Sequence, residues 1–200
     1  MALNGNAVVL PGVGYVLLSD VGAPPPDKSD ITPSTLAQGD DIVVGTDPDT
    51  ATWRQLGHTS RENAVALGKE GGETTALGSW QAPTLKTSVS PITYSFTISA
   101  LQFDNDVLSL YFGGGDTSQQ GYFGIPKTTS PTEKALYLAL VDGTAVWGEY
   151  FPKVSIIGGD GPELSPEGLT EWQLVATILD PGTAEPTLGR IYGEGLGAAT

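Results

Sequence analysis

A single histidine, His58, sits in Leu56-Gly57-His58-Thr59-Ser60 and is the only imidazole the chain could use as a general base. On an extended strand Ser60, two positions on, would project to the same side. Proximity in sequence does not make a nucleophile and base, however, and no oriented acid accompanies the two, so His58 reads as an ordinary strand histidine. The acidic pairs Asp40-Asp41 and Asp47/Asp49 offer oxygen ligands to a hard cation. They lack the regular spacing and the turn glycine of a calcium loop and read as a solvated acidic loop. Gly113-Gly114-Gly115 follows a helical pattern instead of opening one, and no Lys-Ser or Lys-Thr comes next, which argues against a phosphate cradle. The chain contains no cysteine, which removes disulfides and thiolate metal sites together. A glycosidase carboxylate pair can be far apart in sequence, but nothing here nominates one. No residue is assigned a catalytic, cofactor-binding or metal-ligating role.

Charge narrows the field further. Lys and Arg number 9 against 23 Asp and Glu, a formal charge of −14, so the chain repels phosphate backbones where a nucleic-acid binder must neutralise them. The same acidity serves solubility. No apolar run approaches the roughly 18–20 residues of a membrane span, and the N-terminus lacks the basic flank and apolar stretch of a signal peptide. Synthesis and assembly in a cytoplasm are expected.

Several turn-bounded strands would carry these residues. The 27 glycines and 15 prolines exceed ordinary usage without reaching low complexity, as suits a fold with many turns. Ala7 to Leu18 is apolar and β-branched, but Pro11, Gly12 and Gly14 argue for an edge strand or arm, taken as residues 1–19. Asp20 to Thr50 holds five prolines and seven aspartates against the single Lys28. It reads as a long acidic loop, residues 20–50, that orders only against another subunit, with Ile31, Leu36, Ile42, Val43 and Val44 as its anchors. In Ile92-Thr93-Tyr94-Ser95-Phe96-Thr97-Ile98-Ser99 large apolar and hydroxylic residues alternate, the pattern of a half-buried strand. The apolar face, Ile92, Tyr94, Phe96 and Ile98, is expected in a core. The hydroxylic face, Thr93, Ser95, Thr97 and Ser99, is expected to line a lumen or subunit interface.

Asp104 or Asn105 can cap a short helix through Phe112, which the three glycines then end. Ala135 to Val141 and Thr144 to Phe151 form a hairpin over Asp142-Gly143, a pair favoured in type I′ turns. Gly158 to Gly168 reads as a loop and Glu171 to Leu179 as a last strand. Together these predict a mainly β chain, an antiparallel β-sandwich with one short α-helix and long loops, in a single domain over residues 1–200.

The stretch from Trp53 to Gly115 resembles the major tail proteins of siphophages, especially those of actinobacteriophages. The resemblance rests on Trp53-Arg54-Gln55-Leu56-Gly57-His58-Thr59-Ser60, an aromatic-led strand ending in Leu-Gly-aromatic-Thr-Ser, on Trp80, and on the strand and helix from Tyr94 to Gly115. The Ala135 strand, Trp172 and Asp180-Pro181 are compatible, extending it to residues 53–182. Arg61-Glu62-Asn63 stands where the family often has Asp-Gly after Thr-Ser, and Thr84-Leu85-Lys86 replaces an arginine common after the Trp80 region. The resemblance implies the phage tail tube fold, copies of which join in a closed ring, with rings stacking into a tube through which the genome passes without specific binding. It also implies tape measure and tail terminator proteins as partners. Two alternatives stay open: another virion β-protein, such as a tail terminator or decoration protein, and a carbohydrate-binding module that stacks sugars on Trp53, Trp80, Trp147 and Trp172.

Overall fold

The computed structural model describes residues 8, 10–27, 29–45, 50–118, 120–166, 168–182, 185–193 and 196. Asp47 and Asp49 of the acidic loop, and residues 1–7 and 9 of the expected arm, lie outside them. In chain order the elements are β1 (Val13–Ser19), α1 (Pro33–Gln38), β2 (Ile42–Val44), β3 (Ala51–Gln55), β4 (Ala66–Gly71), β5 (Thr74–Leu77) and β6 (Lys86–Val89). They continue with β7 (Ile92–Ala100), α2 (Asn105–Phe112), β8 (Thr132–Asp142), β9 (Ala145–Gly158), β10 (Trp172–Ile178) and β11 (Arg190–Tyr192). The architecture is a mainly β, antiparallel sandwich. Its main sheet runs β2-β3-β1-β8-β9-β10-β7-β4, with β11 added beside the first half of β9 and β5-β6 standing apart as a separate hairpin. No described helix is long and apolar enough to cross a membrane.

β8 explains the layering. Its run Ala135 to Ala139 is wholly buried, which gives a near-continuous apolar sequence instead of an alternating one. Leu136 and Leu138 face a core closed by Val107, Leu108 and Leu110 of α2, together with Phe96, Ile98, Leu174 and Ile156. Ala135, Tyr137, Ala139 and Val141 face a second core, with Trp53, Tyr150, Ile31 and Leu36. Within the first of these cores Phe96 of β7 meets Phe151 of β9 edge-on at 5.1 Å. Pro152 falls where the β8-β9 register shifts between Lys134 and Leu136, a bulge at which a missing N–H does not break the ladder.

Several expectations change. β1 is no edge strand or arm: it lies between β3 and β8, because Pro11 and Gly12 precede it and only Gly14 falls within the ladder. The described part of segment 20–50 is not a loop throughout, for it carries α1 and β2. Thr32 caps α1 through a reciprocal capping box with Thr35, Pro33 opens the helix, and Gly39 closes it at φ 74°. Two helices, not one, are therefore present among the described residues. The β8-β9 hairpin forms as expected, but Asp142 pairs with Ala145, so its loop is Gly143-Thr144. Positive φ is confined to Gly143, at 61°, the pattern of a type II′ turn instead of type I′. On β7, Phe96 and Ile98 are buried and Tyr94 partly so, whereas Ile92 is 41% exposed: β10 pairs only as far as Ser95, and the end of β7 runs beyond the core.

Candidate assembly surface

The hydroxylic face of β7 is one column of a wider wall. Residues directly opposite one another in an antiparallel ladder share a face, so the register can be read straight across the strands. One row runs Glu133, Ser155, Thr177, Ser95 and Gly68 from β8 to β4. The next runs Ile157, Val175, Thr97 and Ala66. Short hydroxylic and aliphatic side chains thus make up most of the face turned away from the α2 core; Glu70 stands opposite Thr93 on it, and Glu133, at the end of its row, is paired with Lys153 at 3.2 Å. Of the four residues expected on this wall, Thr93 is exposed and Ser95 and Thr97 are half-buried. Ser99 is buried within the subunit and supports the Glu171 carboxylate, so it is not an open wall residue.

Glu171 anchors one end of the wall. Its carboxylate accepts hydrogen bonds from Ser60 Oγ at 2.5 Å and Asn63 Nδ2 at 2.8 Å. The Ser60 bond foremost, with Asn63 and Ser99 behind it, holds this carboxyl below the usual carboxylate range and outweighs the desolvation that opposes it. The adjoining groove, about 470 Å³, carries Asp160 and Glu163 beside Thr97 and Gln173 and has no lysine or arginine in its lining. A polyanion meets only repulsion there.

Three strands of the main sheet pair on one side only among the described strands: β2 at one end of the path, β4 at the other, and β11 beside β9. All six residues of β4 are exposed, and its outer edge offers unpaired backbone donors and acceptors, a template for another strand. Every residue of β5 and β6 is exposed as well.

The five anchors expected to dock on a neighbour belong mostly to this subunit's own interior. Ile31, Leu36, Ile42 and Val44 are buried in the second core, and only Val43 is exposed. Side-chain donors complete this packing. Trp53 Nε1 donates to Pro24 O at 2.9 Å, Tyr150 Oη to Ala23 O at 2.7 Å, and Gln55 Nε2 to Leu36 O at 2.9 Å. Proline removes donors but leaves carbonyls to accept, so a Pro-rich segment can be held by Trp, Tyr and Gln side chains without a ladder.

The other candidates assemble nothing. His58 is exposed while Ser60 is buried and committed to Glu171, so no nucleophile and base face one another. Asp41 pairs with Arg54 at 3.5 Å, and no acidic or histidine cluster suited to a metal occurs among the described residues. The tryptophans form no platform: Trp53 and Trp172 are buried in different cores, Trp147 is half-buried on β9 and Trp80 is fully exposed.

Free sheet edges, with no facing nucleophile and base and no metal-holding cluster among the described residues, fit a structural protein. Residues 1–191 match the phage tail tube protein family, and the chain belongs to it as a structural protein of the virion tail. It is 33% identical over 186 residues to the major tail protein Gp23 of Mycobacterium phage D29, covering 90% of this chain and 88% of that protein. To the major tail protein Gp23 of Mycobacterium phage L5 it is 35% identical over 182 residues, with the same coverage.

Proposed function

We propose that this chain polymerises as stacked rings into the tail tube through which the phage genome passes, with the wall of β8, β9, β10, β7 and β4 facing the duct. The carrying observation is the wall itself, in which Ser155, Thr177, Ser95 and Thr97 stand register-aligned beside an acidic groove. A duct for DNA must not grip phosphate, and a lining of short hydroxyls and carboxylates gives passage without the counterion-releasing contacts that create affinity. Thr93, Ser95 and Thr97 keep their place in this reading, and Ser99 serves behind them. Edge pairing supplies the ring. The outer edge of β4 takes a strand of the next subunit, and a heterologous contact that closes on itself makes a ring. The tape measure protein would occupy the lumen during assembly, and the tail terminator would cap the last ring.

Electron microscopy of the purified protein at high concentration, with helical reconstruction, tests this. Tubes with Ser95, Thr97 and Thr177 on the inner surface are expected. Tubes that carry the wall outside overturn the lumen assignment, and capped rings that never stack point to a tail terminator.

A further inference from the structure

We propose that Trp80 is a plug that inserts into a pocket between α2 and the ends of β1 and β3 on a second copy of this chain. The inference rests on the self-assembly proposed above and names the contact that would join two copies.

Trp80 is the most exposed large apolar residue described, at 102% relative accessibility, so none of the described residues covers it. It is nonetheless displayed in a fixed place. β5 and β6 lead to a tip in which Ser79 N donates to Ala82 O at 2.7 Å and Ala82 N donates back to Ser79 O at 3.2 Å, leaving Trp80-Gln81 as a two-residue loop. At Gly78 a Cβ would stand 2.0 Å from Pro83 O, so the hairpin narrows at a point only glycine permits. Two backbone hydrogen bonds close the tip, and the indole ring it carries has only two rotatable side-chain bonds to fix on docking.

The receiving pocket matches an indole in chemistry as well as size. It holds about 250 Å³, and its floor is Leu18, Leu56 and Leu110. Asp106 and Ser109 line it as well, and each carries a side-chain oxygen able to accept a hydrogen bond. A buried indole needs an acceptor for Nε1–H, and either oxygen can supply it. Arg54, in an exposed pair with Asp41, can lay its guanidinium over the ring face. Plug and pocket lie on different elements, so each copy offers one of each and the contact propagates head to tail.

The absence of cysteine makes a direct test clean. Gln81→Cys and Ser109→Cys are purified separately, mixed at high concentration and oxidised, which leaves Trp80 and Asp106 intact. A disulfide-linked heterodimer is expected. No cross-link, or a stronger one when Ile191→Cys of the apolar pocket beside Pro25 and Tyr192 replaces Ser109→Cys, overturns the assignment. Trp80→Ala is expected to fold with unchanged stability yet to raise the concentration needed for assembly by about tenfold or more, as loss of a central tryptophan anchor does. Assembly of this variant at the wild-type concentration overturns the plug while leaving the tube reading intact. Failure of the wild-type protein to form tubes bears on that reading instead, and the cross-link still decides the contact.

Discussion

The two faces of β8 support two cores built in opposite ways. Toward α2, the core is made by strands of regular alternation and a helix with an aspartate cap and a glycine stop: Asp104 accepts from Val107 N at 2.9 Å, and Gly113 takes φ 68°. Toward α1, it is made by large aromatics that reach across the chain. Trp53 bonds a carbonyl 29 positions away and Tyr150 one 127 positions away, while Trp53 packs edge-on against Tyr137 and Tyr150 at 6.1 and 6.0 Å. The first core is local in its logic and the second is not. A segment poor in self-sufficient structure can be firmly held when other elements bring it both apolar surface and donors.

Hollowing each core should have the largest effect. Phe96→Ala and Trp53→Ala should each cost about 3–5 kcal/mol, read by urea denaturation. They should differ in pattern. Trp53→Ala is expected to strip hydrogen-exchange protection from residues 31–44 first, whereas Phe96→Ala weakens the chain without singling out that segment. The two losses together approach a domain's whole stability of about 5–15 kcal/mol, so additivity is better read from Phe96→Leu with Trp53→Phe. Their effects should sum to within about 0.5 kcal/mol if the cores are energetically separate, and strong coupling would show them to be one.

The same contrast explains what the sequence discloses. The alternation through Phe96 and Ile98, the α2 caps and the β8-β9 hairpin are written in neighbouring residues and are recovered with small errors of boundary. Ile92 departs because alternation reports which side a residue faces, not whether a neighbouring strand extends far enough to cover it. The loop of the hairpin shifts by one because Asp142 still pairs, leaving the glycine first. The α1 face is hidden because its donors, Trp53, Gln55 and Tyr150, are remote from the carbonyls they meet. One clue to it is local all the same: Thr32-Pro33 followed by Thr35 and Gly39 carries a cap, a first-turn proline and a helix stop, and outranks the prolines around it. The wall could be read only in its β7 column, since rows across strands require the register.

Alkaline pH should separate the faces without mutation. Burial pushes the phenols of Tyr137 and Tyr150 up from 10.0 to about 12, with Tyr192 adding to the effect on Tyr137 and Glu185 to that on Tyr150. The unfolded chain therefore loses these protons first. Their contribution to stability is complete below pH 10 and declines as the pH rises from 10 to about 12. Tyr150→Phe/Tyr137→Phe should flatten that decline, and phenolate absorbance at 295 nm should lag behind that of free tyrosine. Phenolate formation at the free-tyrosine pH with the fold intact would show that the α1 face is open to water.

The smallest expected effect tests whether α1 contributes of itself or is merely carried by the aromatics. Thr32 Oγ1 accepts from Thr35 N at 3.2 Å while Thr32 N donates to Thr35 Oγ1 at 2.9 Å, so one pair of side chains satisfies two backbone donors at a helix of only six residues. A helix this short cannot persist by propagation, because its nucleation cost is spread over too few hydrogen bonds. Two things hold it: burial of Leu36, 1% exposed, and the cap. Thr32→Ala removes the cap and should cost about 1 kcal/mol, whereas Thr32→Ser, which keeps the oxygen, should cost clearly less. The contact of Gln55 Nε2 with Leu36 O should survive in both, because it is set by β3 and not by the cap. Urea midpoints of the two variants, with hydrogen exchange at residues 35–39, give the answer. Equal midpoints for alanine, serine and wild type would mean that tertiary burial of Leu36 alone fixes α1, and the α1 face would then owe its order to the aromatics entirely.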